Sequence, residues 1–98
     1  MADAWDALAE SQLGEPGVAE GRMFGWACLK IGRKVYACES PDGLVVKLPE
    51  ARVREEIDVG RGEAFAPMQG RVSREWVRVR DASAWRALAD ESRAFVAG

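Results

Sequence analysis

Between Arg22 and Leu48 apolar and polar residues alternate in three short blocks separated by glycine-containing bends, the pattern of consecutive antiparallel strands. Ile31-Gly32-Arg33-Lys34 puts Gly at the first loop position of a two-residue turn, where a positive φ is needed. That turn predicts pairs Leu29 with Tyr36 and Ala27 with Cys38. Ser40-Pro41-Asp42-Gly43 has Pro at a type I corner and Gly as a left-handed bulge residue, so it predicts a three-residue loop pairing Cys38 with Val46 and Tyr36 with Leu48. Side chains alternate across a strand, which gathers Ala27, Leu29, Ile31, Tyr36, Cys38, Leu44, Val46 and Leu48 on a core face. The other face receives Trp26, Cys28, Lys30, Val35, Ala37, Glu39, Val45 and Lys47.

The flanking segments read as helices and two further strands. Trp5, Leu8, Ala9 and Gln12 recur at helical spacing, with Asp3 as N-cap and Gly14 past the end. Val18 to Met23 is the approach to the sheet. Pro49 suits a first helical position, with Val53 and Ile57 on one side and a stop near Asp58 before Gly60-Arg61-Gly62. Ala64 to Met68 predicts a fourth strand, Gln69-Gly70-Arg71 a turn and Arg74 to Arg80 a fifth strand. Asp81 then caps a helix whose stripe is Trp85, Leu88, Ala89, Ser92, Phe95 and Val96. The order helix, three strands, helix, two strands, helix predicts one two-layer α+β domain over residues 1–98, with an antiparallel sheet and its helices on one face.

Composition changes this picture little. The 98 residues are 48% apolar and 31% charged with a net charge of −2, which disfavours bulk attraction to nucleic acid or anionic membranes. An acidic N-terminus and the lack of any long apolar run predict a cytoplasmic chain with no membrane segment. Cys28 and Cys38 fall on opposite faces in the predicted register, so two reduced thiols are expected.

Four stretches resemble the TfoX N-terminal domain family and its YjbR-like relatives: Met23-Phe24-Gly25, Gly43 to Leu48, Gly60 to Phe65, and Arg74-Glu75-Trp76-Val77. The resemblance runs from about Arg22 to the C-terminus. It implies a compact α+β domain, linked in some two-domain members to regulation of DNA uptake, with no catalytic residues to carry over.

The chemistry the residues can support is narrow. There is no His, which excludes Ser-His-Asp and Cys-His mechanisms and His-bearing zinc sites. Glu55-Glu56 and Asp90-Glu91 are adjacent in helices, so members of each pair diverge towards solvated faces. A non-enzymatic domain is expected, with no catalytic residue, metal or cofactor. One constellation stands out on the uncovered sheet face, where Trp26, Lys30, Lys47, Arg74, Trp76, Arg78 and Arg80 come together. Its apolar content predicts contact with a protein partner or a second copy of the chain. Aromatics interleaved with cations make single-stranded nucleic acid the alternative.

Overall fold

The computed structural model describes residues 3–66 and 72–98. The chain runs through helix α1 (Ala4–Leu13), strands β1 (Val18–Met23), β2 (Trp26–Ile31), β3 (Lys34–Ser40) and β4 (Gly43–Lys47), and helix α2 (Glu50–Asp58). Strands β5 (Gly62–Ala64) and β6 (Trp76–Val79), a 3-10 turn (Ala82–Ala84) and helix α3 (Trp85–Ala97) complete it. The sheet is antiparallel throughout, in the order β1-β2-β3-β4-β6-β5. All three helices pack on one face, where Trp5, Leu8, Val53, Leu88, Ala89 and Val96 meet Leu29, Leu44, Val46, Leu48, Val77 and Val79.

The two-layer α+β class is therefore as expected, with six strands among the described residues in place of five. Val18–Met23 pairs along its whole length with β2 because Phe24-Gly25 closes a two-residue turn, with φ of +57° and +78°. Asp3 caps α1 as expected, its carboxylate accepting from the Asp6 N–H at 2.8 Å. Pro49 is the N-cap of α2 and Asp81 caps the 3-10 turn that leads into α3.

Register is where expectation and structure part. From the Gly32-Arg33 turn, Ile31 pairs with Lys34 and Lys30 with Val35, but then Leu29 pairs with Ala37 and Cys28 with Cys38. Tyr36 is the extra residue of a β-bulge. Both ends of this buried side chain and backbone are held: its carbonyl accepts from the Ser92 hydroxyl at 2.9 Å, and its phenol donates to Gln12 Oε1 at 2.7 Å. The bulge turns Ala37 to the helix side and Cys38 to the outer side. Glu39, paired with Leu44, follows Ala37. Burial, then the Asp3 and Asp6 charges, push its carboxyl pKa up. The next loop is one residue shorter than predicted, because Ser40 pairs directly with Gly43. The two one-residue shifts cancel, so Leu44, Val46 and Leu48 still face the helices.

The cysteines change accordingly. Cys28 and Cys38 stand opposite one another on the outer side, their Cα atoms 4.1 Å apart and their sulfurs bonded. The expectation of two reduced thiols on opposite faces is overturned, and cysteine use no longer argues for a reducing compartment. For a crosslink between positions ten residues apart, reduction is expected to cost about 2–3 kcal/mol, read as a fall in the urea midpoint when reductant is added. An unfolded, unreduced chain that alkylates at two thiols would refute the bond.

The fourth and fifth predicted strands are also shorter. Strand β5 ends at Ala64; Pro67 and Met68, together with the Gln69-Gly70-Arg71 turn, lie outside the described residues. Strand β6 spans Trp76–Val79, leaving Arg74 and Arg80 as its flanks. No helix among the described residues is long and apolar enough to cross a membrane.

Candidate functional site

The outer face of the sheet, expected to lie bare, carries an apolar cluster of its own. Cys28, Cys38, Val45 and Phe65 form its centre, with Met23, Trp26, Val35 and Trp76 half-buried around them. Cys28, Cys38 and Val45 have no accessible surface. Phe65 reaches this cluster from a distant strand. It follows β5 at one edge of the sheet, with β6, β4 and β3 between it and β2, yet its ring centroid lies 6.0 Å from that of Trp26 and 6.3 Å from that of Phe24. The chain leaving β5 therefore folds back across the outer face and seats Phe65 there. The Ser73 N–H donates to the Phe65 carbonyl at 2.8 Å.

At the rim of this cluster stands Phe24. Its ring is 5.6 Å from Trp26 in an edge-to-face arrangement, it is 52% exposed, and its backbone is left-handed. For a bulky residue that conformation costs about 1–2 kcal/mol. Phe24, Trp26 and Phe65 together make an aromatic corner that is supported from beneath and exposed at its tip.

The seven residues expected to form the interaction face are distributed as follows. Trp26 and Trp76 both belong to the outer cluster, Trp26 at the aromatic corner and Trp76 beside Lys47 on the neighbouring strand. Lys30 projects from the outer face with its stem along Gly21. Lys47 Nζ approaches Glu75 at 4.0 Å. Arg80 donates from Nε to Glu63 at 2.6 Å and reaches Asp42 at 4.0 Å, while Arg78 lies 3.6 Å from the same Glu63. Hydrogen bonding from Arg80 holds the Glu63 carboxyl below its usual range. Arg74 is exposed just before β6. The structure thus brings the two tryptophans into one cluster, but Glu63, Glu75 and Asp42 offset much of the surrounding positive charge. That lowers what the face can offer a phosphate backbone. Phe24 and Phe65 were missed by sequence reasoning. The signal for Phe24 was present, since a Phe-Gly pair between two strands places an aromatic at a hairpin tip.

On the helix side the expectation for the Glu55-Glu56 pair fails in one member. Glu56 is 1% exposed and its carboxylate accepts from Arg61 Nε and NH2 and from Arg52 NH2. Arg52 also donates twice to Glu91, tying α2 to α3. The Arg61 hydrogen bonds hold the Glu56 carboxyl below its usual range, against the opposing effect of burial. A carboxyl depressed in the folded state contributes stability above the unfolded-state value, and loses it as pH falls through the folded-state value. Stability is therefore expected to drop below about pH 4.5, and Glu56→Gln should flatten that acid limb in urea titrations at successive pH values.

Among the described residues no three His, Cys, Asp or Glu side chains gather as a metal site requires. A surface depression of about 630 Å³ is lined by Val59, Gly60, Arg61, Glu63, Arg80 and Asp81, but its two arginines are engaged by Glu56 and Glu63. No family model, curated protein or solved structure matches the chain.

Proposed function

We propose that the chain is a non-enzymatic interaction domain that grips a protein partner with the aromatic corner Phe24, Trp26 and Phe65. One observation carries it: a large apolar side chain is half exposed at a backbone conformation that disfavours it. Asn or Gly would satisfy the same turn at lower cost. A residue that lowers stability where a better one exists points to selection for something other than folding.

Phe24→Asn separates the two roles. Relief of about 1–2 kcal/mol of backbone strain offsets most of the loss of two edge-to-face contacts that contribute about 0.5–1.5 kcal/mol each, so the variant should lie within about 1 kcal/mol of the parent in stability. Peptides selected from a random displayed library on the immobilised chain should bind the variant at least about tenfold more weakly, or 1.4 kcal/mol. A variant that is clearly destabilised, or that keeps full peptide affinity, rejects the reading. Retention of a single-stranded oligonucleotide at low salt, lost with Arg74→Glu, would favour nucleic acid instead.

A further inference from the structure

The two edges of the sheet are not alike. Strand β5 is three residues long and has α2 packed beside it, whereas β1 is six residues long and among the described residues pairs with no strand on its outer side. The direction of its backbone groups follows from the turns. Met23 and Trp26 close the two-residue Phe24-Gly25 turn, and at the other end the Gly32 N–H donates to the Gly17 carbonyl at 3.2 Å. Alternation along an antiparallel ladder then points the N–H and C=O groups of Ala19, Gly21 and Met23 at β2. Those of Glu20 and Arg22 point away from the sheet.

We infer that β1 pairs with β1 of a second copy of this chain, antiparallel, about a two-fold axis at Gly21. Two independent constraints select that register. Hydrogen bonding requires that outward-facing residues meet outward-facing residues, which restricts the registers centred on this strand to those that set Glu20 and Arg22 against themselves or against each other. Charge then chooses among the alternatives. Centring on Glu20 or Arg22 sets like charges opposite one another, while centring on Gly21 places each Glu20 opposite the other copy's Arg22, twice. Both side chains are exposed, and among the described residues neither belongs to an ion pair. Gly21 on the axis has no side chain to hold the strands apart where they approach most closely. Edge strands are commonly guarded by charge. A guard of one sign repels its own copy, but an acidic and a basic residue flanking a glycine are self-complementary. The result is an isologous contact that continues the six strands into twelve.

The charge pairs of this contact do not involve the aromatic corner, although Val18 lies opposite the other copy's Phe24 at the end of the paired segment, so charge reversal tests the one without the other. Sedimentation equilibrium of the full chain should show a monomer–dimer equilibrium with a dissociation constant in the micromolar range, given so small a contact. Glu20→Arg alone and Arg22→Glu alone should each weaken it at least tenfold, with circular dichroism unchanged. An equimolar mixture of those two variants restores every opposite-charge pair and should recover the dimer as a heterodimer, as should the double exchange within one chain. In a Phe24→Asn background the same charge reversals at Glu20 and Arg22 should have the same effects. A parent that stays monomeric up to about 1 mM overturns the inference, as do single variants that dimerise undiminished or a mixture that fails to associate.

Discussion

Gly43→Ala is expected to lower stability by about 4 kcal/mol, which in a domain of this size shifts the thermal midpoint by roughly 15–30 °C. Gly43 opens β4 at φ +146°, a region closed to ordinary residues, and a β-carbon built there would lie 2.6 Å from the Val79 carbonyl oxygen and 3.0 Å from its carbon. The obstacle is backbone, so no rotamer relieves it. The strands would have to separate where Leu44 pairs with Val79, and both of those side chains are fully buried in the helix-side core. Gly32→Ala is the control. Gly32 also has a positive φ, of +59°, but nothing lies within 4 Å of its missing β-carbon, so that variant should lose only the conformational cost of about 1–2 kcal/mol. Equal losses at the two positions, measured by denaturant titration, would show that the close approach to β6 contributes nothing.

The parts of this fold legible in the sequence are those decided within a few residues. Alternation and the Gly32 turn identified β2 to β4, and Asp3 announced α1. The bulge was not legible because its cause is distant. Tyr36 is fixed by Gln12 and Ser92, 24 and 56 residues away, and no local pattern distinguishes it from an ordinary strand residue. Its consequences reached Ala37, Cys38 and Glu39, all assigned to the wrong face, and through Cys38 the disulfide. Strand β4 was read correctly only because the shorter Pro41-Asp42 loop reversed the shift. Within the candidate site, Trp26 and Trp76 fall on the predicted face. That Phe65 crosses over to cover it depends on where the chain travels after β5, which is a matter of packing and leaves no period in the sequence. Glu56 was read as solvated for the same reason, since Arg61 reaches it from beyond the helix end.

Gln12→Leu should cost about 3–4 kcal/mol, although leucine nearly preserves the volume. Gln12 is 1% exposed and sits where α1, β3 and α3 meet. Its Oε1 accepts from the Tyr36 phenol and from Arg93 NH1, both at 2.7 Å, and its Nε2 donates to Asp90 at 2.8 Å. Arg93 and Asp90 keep each other and partial access to water, and Arg93 also has Glu15 at 3.5 Å. Tyr36 has neither recourse. Its hydroxyl would be a buried donor without a partner, the costly side of the hydrogen-bond asymmetry. Removing that donor as well should therefore recover stability: Gln12→Leu with Tyr36→Phe is expected to exceed Gln12→Leu alone by at least about 1 kcal/mol. Additive losses across the double-mutant cycle would show that the pair is not coupled. If the pair also holds the bulge, Gln12→Leu should loosen the strand that carries Cys38. Amide exchange at Ala37 and Cys38 should then rise in the single variant more than at Val45 on the next strand, because Ser92 alone would anchor the extra residue.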